Sequence, residues 1–309
     1  MAKEDDAHHH GAGAGSDGGG HGSTNNKEEA STTAQRPVVL ITGCAKGGIG
    51  YEYCRAFSAL GCRVVATDVP DRVPELSSDL LLAEALALDV TSDASVADAV
   101  RQVLSRHGRI DVLVNNAGVG CTGPLAELPS ESVRRALDVN FLGQVRTVRA
   151  VAPHMASRRS GRVVNVGSVV GTAATPWAAP YCASKAAVHA ATDALRLELR
   201  PFGVHVVKVV PGAVRSGIGR ANAARLEKWV MYRGFADAIE ERARASQSPR
   251  ATDAAAFARH VARRVMSPRP PREIVLGNMT LLFAALAASP ACVRDAFFTW
   301  RFGLRNKID

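Results

Sequence analysis

Apolar residues along this chain of 309 residues come in short unbroken runs, separated by longer stretches of helical period. The runs Pro37–Gly43, Cys62–Asp68, Ile110–Gly118, Gly161–Ser168 and Gly203–Gly212 read as strands buried on both faces, and Leu86–Asp89 as a shorter one. Between them, Ile49–Leu60 has helical periodicity and stops at Gly61. Ser92 offers an N-cap to a helix that ends at Gly108. Pro129–Ser157 reads as one long helix and Tyr181–Leu199 as another. Strand and helix alternate with short links. That order predicts an α/β fold: a single Rossmann-type, doubly wound parallel sheet of about seven strands, with right-handed crossovers and helices on both faces.

The rhythm fails in three places. Residues 1–36 contain Gly, Ser, His and Asn without apolar period, and cannot bury enough surface to offset chain entropy, so a disordered tail is expected. This tail has no apolar core of a secretory signal, and a cytoplasmic protein is expected. Residues 37–276 form the expected catalytic domain. Within it, 213–271 reads as a helical insertion carrying Trp229, Met231, Tyr232 and Phe235, placed to cover the C-terminal strand ends where open α/β sheets bind ligands. Residues 277–309 form an apolar and basic extension. The uncharged stretch Ile274–Val293 is long enough to span a bilayer, but Gly277, Asn278, Thr280, Ser289 and Pro290 interrupt it. A strand Glu273–Leu276 followed by a helix Leu281–Ala288 is the preferred reading. That helix could face a core, a subunit contact or a lipid surface.

With 47% hydrophobic and 22% charged residues, the composition suits one large domain. The six cysteines lack metal-ligand or redox spacing, and reduced, buried thiols are expected, with no metal site. Net charge is +9 and unevenly placed: residues 195–309 hold 20 Lys and Arg against 9 Asp and Glu. Attraction to an anionic substrate or membrane face and an arginine-rich solvated surface both fit. No basic cluster interleaved with aromatics points to nucleic acid.

The stretch Ile41–Gly50, ITGCAKGGIG, follows a predicted buried strand and opens a predicted helix, as a dinucleotide site requires. Gly43 permits a sharp turn, Gly48 close approach of backbone to a pyrophosphate, and Gly50 tight helix packing. The helix start at Ile49 offers N–H groups and positive dipole. Asp68 lies eighteen residues beyond Gly50, at the end of the second strand.

These residues resemble the short-chain dehydrogenase/reductase family over about Val38–Leu276. The family's usual turn is T-G-x-x-x-G-x-G, and here one residue is extra. The form TGCxxGGIG, with WRFGL at Trp300–Leu304, is similar to an acyl-dihydroxyacetone-phosphate reductase subgroup. Four further matches follow. Asn115–Gly118 (NNAG) resembles the motif beside the cofactor's adenine side, which puts Asn116, Ala117 and Gly118 at the cofactor. Asp89 and Val90 match the pair that contacts adenine. Pro211, Gly212 and Val214 lie in PGAVRS, similar to the family's segment near nicotinamide. Ser168, Tyr181 and Lys185, with Asn140 upstream, match the catalytic set in order and spacing.

The chemistry follows from residue types. Carbonyl reduction needs a proton delivered to a developing alkoxide. Tyr181 and Lys185 are four apart on a helix and share a face. A nearby ammonium favours a phenolate, so Tyr181 is expected to act as general acid or base with its pKa lowered by Lys185. The resemblance also gives Lys185 the nicotinamide ribose, Ser168 the substrate oxygen, and Asn140 a water that relays protons to Lys185. Singly, Ser168 reads as a turn hydroxyl and Asn140 as a helix kink; at family spacing they read together as a site.

The implied cofactor is NAD(P)(H). Asp68 would bind ribose hydroxyls and repel a 2′-phosphate, which leans to NAD; Lys46 in the turn keeps NADP open. The substrate expected is a lipophilic ketone or secondary alcohol, such as an acyl-phosphate lipid. A hydroxysteroid- or retinol-type alcohol, and a non-catalytic nucleotide-binding or lipid-surface protein, are the alternatives. The resemblance implies a homodimer or homotetramer. The C-terminal segment suggests peripheral contact with the cytosolic face of the endoplasmic reticulum or with lipid droplets.

Overall fold

The computed structural model describes residues 36–78, 84–217 and 229–305. The expected disordered tail, apart from Arg36, and residues 218–228 of the expected insertion lie outside them.

The sheet begins with β1 (Val38–Thr42), α1 (Ile49–Ala59) and β2 (Arg63–Asp68), followed by the short α2 (Val73–Ser77) and β3 (Glu84–Ala87). Next come α3 (Asp93–His107), β4 (Val112–Asn115), α4 (Ser130–Leu137), α5 (Gly143–Ser157) and β5 (Gly161–Val166). The chain then adds α6 (Ala179–Leu199), β6 (Val204–Pro211), α7 (Ala236–Ala243), α8 (Ala254–Met266), β7 (Glu273–Leu276), α9 (Thr280–Ala288) and α10 (Ala291–Arg301). All seven strands are parallel, in the order β3-β2-β1-β4-β5-β6-β7. The winding reverses between β1 and β4, which opens a crevice at their C-terminal ends.

Alternate residues of β1 face opposite layers, as the period of two requires. Val39 and Ile41 join Phe57 of α1 and Phe257 and Val261 of α8. Val38 and Leu40 join Val103 of α3 and Val151 and Met155 of α5. Fully burying side chains of this size stabilises by about 1.5–3 kcal/mol each. A buried polar chain crosses the sheet between these layers. Thr147 Oγ1 donates to Asn115 Oδ1 (2.6 Å), Asn115 Nδ2 to Asn165 Oδ1 (2.9 Å), and Asn165 Nδ2 to Thr192 Oγ1 (3.0 Å). It ties β4 to β5, with α5 and α6 holding its ends.

Several expectations are corrected. The third strand starts two residues earlier than its apolar run, because it pairs Glu84–Ala87 with Val65–Asp68 at an edge where one side is wet. The long helix Pro129–Ser157 is broken by a π-type turn at Asp138–Leu142, which accommodates the inward pull on Asn140. The second half of the expected cover is not cover: α8 is the crossover between β6 and β7, with Phe257, Ala258, Val261, Ala262 and Val265 packed in the core beside α1. Five cysteines are buried, but Cys292 is exposed on α10. The uncharged stretch resolves into β7 and α9, stopped at Ser289 before Pro290. Among the described residues no helix is long and apolar enough to cross a membrane, and no cluster of side chains could hold a metal ion.

Candidate active site

The glycine turn sits at the C-terminal end of β1, on the crevice. Gly43 (φ 72°) and Gly47 (φ 75°) both adopt left-handed backbone, so the enlarged turn reverses twice, and Gly47 is a second obligatory glycine that spacing alone did not single out. The extra length leans on β2: Cys44 N–H donates to Thr67 O (3.0 Å) and Ala45 N–H to Asp68 Oδ2 (2.7 Å). From below, Asn116 Nδ2 donates to the carbonyls of Thr42 (3.0 Å) and Gly43 (2.9 Å). Thr42 Oγ1 in turn accepts from Asn116 N and Ala117 N. NNAG is thus a clamp on the turn as well as a wall of the cleft. A Cβ on Gly50 would lie 2.1 Å from Gly43 O, so Gly50 packs the helix onto the turn and does not itself line the cleft.

One cleft of about 1710 Å³ runs from this turn past Asp68, Asp89 and Val90 to Ser168, Tyr181 and Lys185. Lys46, Gly48, Ile49, Asn116, Ala117, Gly118, Pro211, Gly212 and Val214 also border it. Helix α1 begins at Gly48 with no side chain capping its first turn, so its positive end opens onto the cleft. Bare backbone, an uncapped helix start and Asp68 at the far edge fit the pyrophosphate and ribose of a nicotinamide dinucleotide.

Helix α6 presents Tyr181, Lys185 and His189 on one face at intervals of four. Lys185 is buried and its Nζ donates to Val166 O (2.9 Å), at the end of β5. Ser168 follows that strand in extended backbone, with its hydroxyl near enough to the Tyr181 phenol to favour the phenolate. A Cβ on Gly118 would lie 3.2 Å from Asn140 Oδ1 and 3.8 Å from Lys185 Nζ, so these two residues meet across Gly118.

The electrostatics differ from expectation. Burial dominates the phenol of Tyr181 and raises its pKa; the Arg242 guanidinium and the Ser168 hydroxyl are the groups that pull it back down. Lys185 is not the cation named in that balance. Its Nζ is drawn to Val166 O, 5.8 Å from the phenol ring centroid, and desolvation lowers its own pKa to about 8. Asn140 is anchored by its side chain. Its Oδ1 accepts from Val119 N–H (2.7 Å), and its Nδ2 donates to Val119 O (2.9 Å) and Ser184 Oγ (3.0 Å). With both amide donors engaged, the side chain fixes backbone and α6.

Two functional neighbours were missed. His189 Nε2 accepts from Ser168 N–H (3.3 Å), and burial, with Lys208 and Lys185 nearby, holds the imidazole neutral at a pKa of about 4. The four-residue interval after Lys185 was the available signal. Arg242, on α7, carried none, because its partner Thr175 is remote in sequence; Arg242 Nε donates to Thr175 Oγ1 (2.9 Å).

Aromatic rings cluster beside Tyr181. Trp177 meets Tyr232 edge-on at 5.4 Å and Phe235 at 5.6 Å. Trp229 fills the space above Gly123, and Glu127 accepts from the backbone of Val230 and Tyr232. Phe283, Phe298 and Phe302, from α9, α10 and just beyond, join the same cluster as Tyr181.

Known proteins are similar to this chain in sequence and fold. The family model described as short chain dehydrogenase matches residues 37–227. Short-chain dehydrogenase ptmH of Penicillium ochrochloron is 35% identical over 76% of this chain and 86% of its own. The NADPH-dependent 1-acyldihydroxyacetone phosphate reductase of Schizosaccharomyces pombe is 40% identical over 58% of this chain and 60% of its own. A crystal structure of a short-chain dehydrogenase from Streptomyces avermitilis superposes with a TM-score of 0.72 at 28% identity, covering 88% of this chain and 98% of that one.

Proposed function

The chain belongs to the short-chain dehydrogenase family and is an oxidoreductase, and from that premise we propose that it interconverts a lipophilic ketone and secondary alcohol, with Tyr181 as general acid or base. The observation that carries this reading is the meeting of Tyr181, Ser168 and Lys185 on the same cleft as the uncapped helix start and the glycine turn. A non-catalytic nucleotide binder would have no need of that set.

Proteins of this family bind NAD(P), which supplies or accepts the hydride. This chain's residues hold and aim. Gly48 and the start of α1 bind the pyrophosphate, Asp89 and Val90 border the adenine, and Pro211, Gly212 and Val214 border the nicotinamide. Lys185, held by Val166 O, binds the ribose. Ser168 polarises the substrate oxygen while Tyr181 gives or takes its proton. A water held at Asn140 relays protons to and from Lys185.

Asp68 gives the cofactor end a buried carboxylate met by the N–H groups of Ala45 and Val69, and a 2′-phosphate there would be repelled. NAD(H) is therefore the preferred cofactor, with exposed Lys46 the residue that would admit NADP(H). The aromatic end supports a lipophilic substrate, as does the relative that is named for reducing an acyl phosphate lipid. Residues 213–247 then form the substrate cover within a catalytic domain of 37–276. Exposed Leu281 and Trp300, among C-terminal arginines, suit peripheral contact with an anionic lipid surface, in a homodimer or homotetramer.

Oxidation of NADH and NADPH by purified protein, against long-chain ketones and short polar ones, tests the reading. Turnover of long-chain ketones is expected. Turnover of polar ketones alone would sink the lipophilic assignment, and no turnover of any would sink the carbonyl chemistry.

A further inference from the structure

Arg242 stands in the last turn of α7 and borders the cleft beside Tyr181. Its Nε donates to Thr175 Oγ1 (2.9 Å), and the Cys182 thiol lies close enough to influence its charge. Thr175 N–H also donates to Cys182 Sγ (3.5 Å), which fixes the guanidinium one residue along α6 from Tyr181. A guanidinium carries five N–H donors, so the bond to Thr175 leaves most of the fork for another partner, and Arg242 borders the cleft. Among the described residues no carboxylate forms an ion pair with Arg242. Its neighbours Glu240 and Glu241 are engaged by Arg244 and Arg301. Arg109, Arg146, Arg158 and Arg196, by contrast, each hold an aspartate. Desolvation weighs on the cation and lowers its pKa. A desolvated charge without a counter-ion is costly, and a ligand that supplies the anion offsets that cost.

The same cleft has an apolar wall that includes Phe283, Phe298 and Phe302. We propose that Arg242 anchors an anionic head group, a carboxylate or a phosphate, borne by the substrate a few bonds from the oxygen that Tyr181 serves, with the apolar remainder lying along the phenylalanine wall. This deepens the reading of Tyr181 as the reacting centre and rests on it. Planar, bidentate recognition of such an oxyanion is what a partly fixed guanidinium does best.

The test separates head-group binding from turnover. Octanoate, octyl phosphate and uncharged octanol are titrated calorimetrically into wild type, Arg242→Lys and Arg242→Met, with NAD⁺ and, separately, NADP⁺ saturating the dinucleotide end. At least one anion is expected to bind wild type about 10- to 100-fold tighter than octanol. The tighter of the two identifies the head group. Arg242→Met removes the preference and Arg242→Lys keeps part of it. Octanol binding by Arg242→Met serves as the check that the variant is folded, and Arg242→Lys decides the matter if it is not. Anions bound no better than octanol by wild type, or an equal preference in a folded Arg242→Met, would overturn the anchor. In a kinetic arm, the same long-chain keto compound is offered as free acid and methyl ester. The ratio of their kcat/KM values is expected to fall by the same factor in Arg242→Met. A purely structural role would depress both substrates and leave that ratio unchanged. Absence of all turnover with the head-group preference intact would overturn the carbonyl chemistry assigned to Tyr181 and leave the anchor standing.

Discussion

At the floor of the cleft, backbone is held by polar groups at fixed points: Asn116 and Thr42 clamp Gly43, and Asp68 holds Ala45. At its aromatic end, rings are held by one another: Trp177 against Tyr232 and Phe235, and Phe298 stacked on Phe302 at 6.2 Å. The first kind of construction has few solutions, because a donor or a Cβ out of place leaves a clash or an unmet buried group. The second tolerates exchange of apolar volume. A cofactor that must be seated for hydride transfer meets the rigid region, and a variable substrate meets the adaptable one.

Substitutions can break this contrast, and the floor has the most to lose. Gly50→Ala places a methyl 2.1 Å from Gly43 O and 2.5 Å from Asn116 Nδ2, which itself holds the turn. It should cost about 3 kcal/mol or more of stability and weaken cofactor binding by roughly 100-fold, read by thermal unfolding and fluorescence titration. At the aromatic end, Phe283→Ala should cost about 2–4 kcal/mol, raise KM for the carbonyl substrate and leave cofactor affinity within about twofold. Equal damage to cofactor binding by both variants would erase the distinction. At the edge of the floor, Asp68→Asn keeps an acceptor for Ala45 but removes the charge. It should move the NADPH to NADH ratio of kcat/KM upward by about tenfold; an unmoved ratio would show that Asp68 only props the turn.

The smallest effects are in pH. His189 is held neutral down to about 4, below its unfolded value, so the unfolded chain binds the extra proton first as pH falls. Stability should be fully present above about 6.5 and decline towards 4, and His189→Leu should flatten that decline. Lys185, lowered to about 8, acts in the opposite range. Its burial disfavours the folded state below pH 8, and that penalty fades as pH rises from 8 towards the ordinary lysine value near 10.4. Melting temperatures of Lys185→Met across that range should lack the rise.

What was legible in the sequence divides along the same line. Continuous valine-rich runs and their glycine stops located the strands of the sheet, since two-sided burial leaves little choice of residue. The glycine turn and the Tyr181–Lys185 interval were legible because each is a local spacing that backbone or helix geometry imposes. The π-type turn at Asp138–Leu142 was not, because it depends on what Asn140 bonds across the fold. Nor was the place of α8: its apolar stripe over Phe257, Val261 and Val265 is the same whether it covers a substrate or packs on α1. Arg242 was one arginine among many until Thr175 and Cys182 placed it beside Tyr181.

The account turns on one proton. Tyr181→Phe keeps the ring, its packing and the bond from Lys185 to Val166, and removes only the hydroxyl. Single-turnover reduction of a long-chain ketone by bound NADH, followed at 340 nm beside a cofactor titration, should show the rate fall by about 10²–10⁴-fold with cofactor affinity unchanged. A rate near that of wild type would contradict the assignment of Tyr181 as the acid.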